Sequence, residues 1–165
     1  MLLTQAIHGL DLFQSLAGPI AEVAGFAGTS ALHRMETEDI VCAGIRFANG
    51  ALGTIDATTA SQPGFPERLE LVGTRGTAML NGGALELYWQ DGRTENFAGE
   101  RLLGGGADPM AFSHAHHCAV LRDFLDALDD QRPPKVSGRE ALKVHRLIDA
   151  LLRSGETRQP VAIAQ

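Results

Sequence analysis

Cysteine and the larger aromatic residues are scarce in this sequence. Its 165 residues include two cysteines, one tryptophan and one tyrosine. Small secreted scaffolds need several disulfides in place of a large core, and Cys42 and Cys118 alone cannot supply them. We therefore expect two small, buried hydrophobic residues in a reducing compartment rather than a disulfide scaffold.

Long apolar runs and a basic start are also missing. No apolar stretch approaches the roughly 20 residues that cross a bilayer. The first residues, Met1-Leu2-Leu3-Thr4-Gln5, carry no basic group and begin no long apolar segment. Secretory signals have both features. We predict a cytoplasmic protein with no membrane partner.

An excess of positive charge is absent as well. Fourteen lysines and arginines face twenty aspartates and glutamates, giving a net charge of −6. Such a surface repels nucleic acid, so we expect no nucleic-acid partner. The densest basic stretch has helical spacing and is interleaved with acidic residues, which indicates a solvated helix face. It consists of Arg139, Lys143, Arg146 and Arg153.

The residues that remain are those of a globular domain. Apolar residues make up 44% of the chain, enough to build a core. Apolar spacing predicts a helix over residues 3–17, with Thr4 as its cap and Gly18-Pro19 as its stop. Val, Ile, Thr and aromatic residues, punctuated by turn sequences, predict strands over residues 20–97.

Two helices are predicted after the strands. The first covers about residues 113–128. Ser137 and Glu140 form a capping box at the start of the second helix. This second helix runs to about Arg153, with Gly155 in its C-cap region. A short strand follows over residues 160–163. Strands grouped between helices predict an α+β fold, with an open, mainly antiparallel β-sheet and helices packed on one face. We expect a single domain over residues 1–165.

The register of one hairpin follows from its apolar pattern. Val41, Ala43, Ile45 and Phe47 alternate on one strand, and the next strand begins at Ala51. A three-residue loop that ends in a left-handed Gly50 pairs Phe47 with Ala51 and keeps the apolar sets on one face. The opposite face is mixed rather than polar, which suggests that another chain covers it. It carries Cys42, Gly44, Arg46, Leu52, Thr54 and Asp56.

Common cofactor and metal motifs are missing. Gly104-Gly105-Gly106 is separated from Ser113 by six residues that include a proline, so it does not form the strand–turn–helix of a dinucleotide site. His114, His116 and His117 lie near Cys118, and two of these histidines share a helix face, but no third metal ligand is apparent. We predict no metal site. His8, one helical turn after Thr4, shares a helix face with it and suits a base, but a lone histidine on a helix is usually structural.

The order of several short motifs resembles a known family. Thr4-Gln5-Ala6-Ile7-His8-Gly9-Leu10-Asp11 is similar to the Gln-x-x-His-x-x-Asp motif in the C-terminal domain of the glucose–fructose oxidoreductase / inositol dehydrogenase / MocA (Gfo/Idh/MocA) oxidoreductases. Further similarities follow in the expected order along nearly the whole chain. They are Gly18-Pro19-Ile20, Glu38-Asp39, the segment from Arg46 to Gly53, Pro63 to Arg68, Leu71 to Thr77, Asp123-Phe124 and Arg132-Pro133-Pro134.

This resemblance implies a role for the chain and for its site. It implies a substrate-binding and oligomerisation domain of an NAD- or NADP-dependent CH–OH oxidoreductase acting on sugars, polyols or related hydroxy compounds. His8 is then the catalytic proton-transfer residue, with Thr4 and Gln5 orienting the substrate. The Phe65, Glu67 and Arg68 loop is expected near the substrate. Where the family often has Asp, or Asn in some members, this chain has Thr4, which cannot serve as a carboxylate partner.

The resemblance also implies a missing half and an assembly. The family's Rossmann domain and its catalytic lysine motif have no counterpart here, so we expect no cofactor-binding residue and no activity in the isolated chain. A Rossmann domain in cis or in trans would supply both, and a homodimer would form through the open sheet face. Two alternatives stay open: a stand-alone, non-catalytic dimerisation or small-molecule-binding module, and an unrelated cofactor-free α+β enzyme centred on His8.

Overall fold

The computed structural model describes residues 1–99 and 114–164, which form two compact units. Within the described residues, the first unit comprises residues 1–58 and 114–164, and the second comprises residues 59–99. The glycine run at 104–106 and the predicted helix start at Ser113 lie outside the described residues.

The first unit combines helices with one sheet. A π-helical segment, Leu2–Ala6, continues into α1, Ile7–Ala17. The strands are β1, Ile20–Gly28; β2, Ile40–Phe47; and β3, Leu52–Thr58. Two helices follow, α2 (Ala115–Asp129) and α3 (Gly138–Thr157). A last strand, which we number β8, is Val161–Ala162.

The second unit is a meander of four antiparallel strands. They are β4, Arg68–Gly73; β5, Gly76–Asn81; β6, Ala84–Trp89; and β7, Thr94–Phe97, paired in chain order. The Trp89 ring lies 5.5 Å from the guanidinium carbons of both Arg75 and Arg93, and its indole N–H donates to Glu95 at 2.7 Å. These cation–π contacts fix the end of the β5–β6 pair.

The sheet of the first unit has the order β3-β2-β1-β8, and every pair is antiparallel. The predicted hairpin register is confirmed: the Phe47 amide donates to the Ala51 carbonyl at 2.9 Å, and Arg46 pairs with Leu52. Gly50 has φ of +87°, the left-handed conformation that the three-residue loop requires. The α+β class and the antiparallel sheet are therefore as predicted.

The core lies between this sheet and the helices α1 and α3. Val41, Ala43, Ile45 and Phe47 are buried, and the residues between them are exposed. Phe13 of α1 meets Phe47 edge-on, with ring centroids 5.5 Å apart. Apolar residues of α3 complete the core: Val144, Leu147, Ile148, Ala150 and Leu151. One face of the sheet is thus covered by helices, as predicted.

Helix α3 crosses β1 at small residues. A side-chain Cβ added at Gly155 would lie 2.8 Å from the Ala27 Cβ and 2.9 Å from the Ala27 backbone nitrogen. Directly before Gly155, the buried Ser154 hydroxyl accepts from the Gly25 amide at 3.0 Å and donates to the Gln159 carbonyl at 2.8 Å. Glycine and serine let the helix backbone approach the strand closely.

Three local expectations are corrected. Thr4 does not cap the first helix, because it lies inside the π-helical segment and its hydroxyl donates to the Met1 carbonyl at 3.3 Å. Gly155 does not end the last helix, which continues to Thr157 and closes on a left-handed Arg158. Cys42 and Cys118 are exposed free thiols rather than buried residues. The capping box is confirmed, since the Ser137 hydroxyl accepts from the Glu140 amide.

Helix α2 exposes most of its apolar residues in the described structure. Val120, Leu121, Phe124, Leu125 and Leu128 are between 48% and 63% exposed, and Ala127 is buried. The helix end is held by Asp123, which accepts from Arg132 at 2.9 Å and from the Lys135 amide at 2.7 Å. Within the described ranges, no helix is both long and apolar enough to cross a membrane.

Candidate functional site

The predicted site residues Thr4, Gln5 and His8 share one continuous helical segment. The first two lie in its π-helical part and His8 lies in the first turn of α1. All three are exposed to solvent. Among residues 1–99 and 114–164, the His8 imidazole has no hydrogen-bond or ion-pair partner. It is therefore free to exchange a proton with a bound molecule, as a general acid or base must be.

The start of this segment is anchored from outside by Glu38. Its Oε1 accepts from the Leu2 amide at 2.7 Å and from the Met1 amino group at 3.0 Å. Its side chain is 12% exposed. Burial raises the pKa of this carboxyl, but the bonds from Leu2 and Met1 outweigh burial and hold its pKa below the usual value. Glu38 is therefore a charged acceptor at physiological pH.

A second acidic group, Asp39, fixes the connection from which Glu38 extends. This fully buried carboxylate accepts from the Ser30 amide and hydroxyl, both at 2.6 Å, and pairs with His33 Nδ1 at 2.6 Å. The two bonds from Ser30, together with a smaller effect of His33, lower the pKa of Asp39 to about 2 despite its burial. The connection between β1 and β2, residues 29–39, is thereby held in one conformation.

Sequence reasoning missed this cluster. Ser30 and His33 fall in a stretch without periodicity, and Glu38-Asp39 was noted only as part of a family pattern. The signal that was present is Asp39 itself, an acidic residue directly before an alternating apolar strand. A carboxylate at that point needs donors, and the preceding loop supplies them.

The other predicted substrate residues lie in the second unit. Phe65 is 73% exposed and Glu67 is exposed, both ahead of β4. Arg68 begins β4 and donates to Glu70 at 2.8 Å. The structure thus brings the predicted residues together as two groups, one on the first helical segment and one at the start of β4.

The sheet of the first unit leaves one face open. Phe26 and Leu52 are 71% and 74% exposed there. On β2, the strand between β1 and β3, the Cys42 thiol donates to Asp56 Oδ1 at 3.7 Å. Partial burial raises the pKa of this thiol, and the Asp56 carboxylate raises it further, so the thiol is kept neutral. We call this surface the open face, defined by Ala24, Phe26, Cys42, Gly44, Arg46, Leu52, Thr54 and Asp56.

The histidine group considered for metal binding lies at the start of α2. His114, His116 and His117 are exposed there. In the part of the chain that the structure describes, no group of three or more His, Cys, Asp or Glu side chains is arranged to hold a metal ion.

Comparison with known proteins places the chain in a family. A sequence model described as the C-terminal alpha/beta domain of an oxidoreductase family matches residues 1–163. The chain belongs to the Gfo/Idh/MocA oxidoreductase family, as its C-terminal domain. A D-apiose dehydrogenase from Paraburkholderia graminis is 27% identical over 163 residues, which cover 95% of this chain and 43% of that protein.

Solved structures of other oxidoreductases share the fold. An oxidoreductase from Agrobacterium radiobacter, in complex with NAD+, L-tartaric acid and magnesium, matches with a TM-score of 0.81 and 23% identity over 98% of this chain and 48% of its own. Levoglucosan dehydrogenase in complex with NADH matches with a TM-score of 0.76 and 22% identity, over 98% of this chain and 50% of its own. The chain spans about half the length of the relatives it matches.

Proposed function

We propose that this C-terminal domain forms the substrate side of an NAD- or NADP-dependent dehydrogenase for sugars, polyols or related hydroxy compounds. The single observation that carries the proposal is an exposed His8, without a hydrogen-bond or ion-pair partner among the described residues, on a helical segment anchored at its start by Glu38. The D-apiose dehydrogenase among its relatives and the levoglucosan dehydrogenase among its structural neighbours support a carbohydrate-like substrate.

Each site residue has a distinct role in this proposal. A nicotinamide bound by a Rossmann domain, in cis or in trans, would supply the hydride-transfer chemistry. His8 accepts the proton of the substrate hydroxyl when the alcohol is oxidised and returns it in the reverse reaction. Thr4 and Gln5, exposed on the same segment, orient the substrate through hydrogen bonds. Phe65, Glu67 and Arg68 contribute to substrate recognition.

The test replaces His8 in a protein that also contains the nucleotide-binding half, supplied in cis or in trans. Reduced nicotinamide is followed by absorbance with a panel of sugars and polyols. Losing general acid–base catalysis costs on the order of 10²–10⁴-fold, so His8→Ala should lower kcat by that amount. The matched control is His145→Ala, an exposed histidine on α3. Turnover by His8→Ala equal to that of the control would refute the proton-transfer role.

We further propose that two copies associate through the open face. Phe26 of β1 and Leu52 of β3 are both exposed on the open face, which no helix covers in the part of the chain that the structure describes. Burying a phenylalanine is worth about 1.5–3 kcal/mol, so the 71% of Phe26 that is exposed contributes about 1–2 kcal/mol. A twofold interface buries both copies and gains about 2–4 kcal/mol.

This gain sets the size of the effect to be measured. Phe26→Ser should weaken the dimer about 30- to 700-fold, since about 1.4 kcal/mol is tenfold in Kd. Leu32→Ser is the matched control, because Leu32 is 73% exposed but lies in the β1–β2 connection. Sedimentation velocity across a dilution series measures the dimer. A monomeric parent, or equal Kd values for the two variants, would refute this interface.

One observation favours the alternative of a stand-alone, non-catalytic module: Phe26 and Leu52 are exposed on the open face. This exposure is compatible with a domain that serves assembly alone. The two proposals differ in what a nucleotide-binding half does. Addition of that half restores hydride transfer if this domain is the substrate side of a dehydrogenase. If no substrate in the panel is turned over while the dimer forms normally, the domain serves assembly. The cytoplasmic location stays a prediction.

A further inference from the structure

We infer that Glu38 is a positioning residue for His8: its carboxylate fixes the first turn of the segment that carries Thr4, Gln5 and His8. This inference rests on the proposed function, because it concerns how precisely the proton-transfer group is held. The contact joins residues 36 positions apart in the chain.

The geometry of the contact supports this role. A helix start leaves backbone N–H groups without partners, and Glu38 Oε1 accepts the Leu2 amide at 2.7 Å. The carboxylate also places a negative charge at the end of the segment where the helix dipole is positive. The segment begins as a π-helix, a form whose turns need outside support and that recurs at functional sites. The Leu2 contact exists whatever charge the Met1 nitrogen carries.

The chain around Glu38 is itself held in place by hydrogen bonds to its neighbour, Asp39. Asp39, its neighbour in sequence, is fully buried and takes three short hydrogen bonds from Ser30 and His33. The Asp39 amide donates to the Gly28 carbonyl at 3.0 Å, which closes the β1–β2 connection at its base. The backbone of Glu38 therefore has little freedom, and its carboxylate transmits the position of the sheet to the His8 segment.

Two variants separate the charge of Glu38 from its hydrogen bond. Glu38→Ala removes both, and a displacement of the reacting group by about 1 Å costs up to about 100-fold, so kcat should fall about 10- to 100-fold with KM little changed. Glu38→Gln keeps an acceptor oxygen and loses only the charge, so kcat should recover to about two- to fivefold below the parent. Glu36→Ala is the matched control, an exposed glutamate on the same connection.

A second readout does not depend on turnover. The amide resonances of residues 2–8 should shift in Glu38→Ala and stay in place in Glu36→Ala. The reason is that Glu38, unlike the exposed Glu36, accepts a hydrogen bond from this segment. Thermal melting identifies any variant that fails to fold. If Glu38→Ala does not fold, Glu38→Gln decides the matter by its smaller loss of kcat and its shifted Leu2 amide.

The outcomes separate this inference from the proposed function. Full activity of His8→Ala would refute the proposed function, and Glu38 would then have no proton-transfer group to position. If His8→Ala is inactive while Glu38→Ala matches Glu36→Ala in kcat, the positioning role is wrong. The role is also wrong if Glu38→Ala raises KM and leaves kcat intact, or if Glu38→Gln equals the parent in kcat and in the Leu2 resonance.

Discussion

Substituting Gly155 by alanine tests how closely α3 approaches β1. The added Cβ would lie 2.8 Å from the Ala27 Cβ and 2.9 Å from the Ala27 nitrogen. Neither atom is the end of a flexible side chain, so the helix or the strand must move. Forcing an extra methyl group into a close-packed contact costs about 1–3 kcal/mol. Alanine in place of glycine within a helix recovers up to about 1 kcal/mol.

A matched control isolates the cost of the contact. Gly138 begins the same helix, and a Cβ added there meets no atom within 4 Å. Gly138→Ala therefore gains helix propensity without a clash and should equal or exceed the parent in stability. Gly155→Ala should be less stable than Gly138→Ala by about 1–3 kcal/mol, because the gain in propensity is common to both.

The assay is reversible thermal or urea unfolding of both variants followed by circular dichroism. A free-energy difference of 1–3 kcal/mol corresponds to about 2–12 °C in Tm for a chain of this size. Ala27→Gly in the Gly155→Ala background should restore part of the loss, since it removes the nearer of the two contacts. Equal stability of Gly155→Ala and Gly138→Ala would refute the close approach of helix and strand.

Three further predictions concern stability. Leu147→Ala should lower the free energy of unfolding, measured in urea, by about 2–5 kcal/mol, because Leu147 is fully buried. Leu142→Ala, at an exposed position, is the control, and equal losses of stability in the two variants would contradict the assignment of the core. Ser154→Ala should cost about 1–3 kcal/mol, because the Gly25 amide loses its acceptor, the buried Ser154 hydroxyl; a Tm unchanged from the parent would contradict this. Asp39 has a pKa of about 2 in the fold against an ordinary value of 3.8, so its stabilisation is present above the ordinary value and is lost as the pH falls toward 2. Asp39→Asn should melt lower at neutral pH and lose less on acidification, and parallel Tm–pH curves for variant and parent would contradict this.

Much of the fold followed from local pattern. The alternation of Val41, Ala43, Ile45 and Phe47 identified the buried face of β2 because side chains of a strand alternate between two sides. The turn at Gly50 fixed the register because one conformation alone keeps the apolar sets together. The box of Ser137 and Glu140 marked the start of α3 for the same kind of reason: donor and acceptor lie three residues apart.

Two of the wrong expectations concern interactions between distant segments, whereas the cap predicted at Thr4 failed within its own turn. Glycine commonly ends a helix, yet Gly155 lies inside α3, where an added Cβ would meet Ala27 of β1. Cys42 has the chemistry of a buried residue, yet it lies on the open face, which no helix covers among the described residues. The acceptors for Leu2 and Gly25 could not be predicted either, since they lie 36 and 129 residues away.

The candidate site also combines a feature predicted from sequence with one that depends on the tertiary structure. The motif from Thr4 to Asp11 predicted His8 as a site residue, because the spacing of functional residues on one helix is a local property. The anchoring of that helix by Glu38, and of Glu38 by the buried Asp39, is a property of the tertiary structure.

The sequence by itself determined the helices, the strands, their buried faces and the hairpin register, because each depends on residues a few positions apart. Only the tertiary structure decided where the helix backbone touches the strand and which carboxylate holds the His8 segment. Those features depend on pairs of residues that are distant in the chain and meet only when the core between sheet and helices has formed.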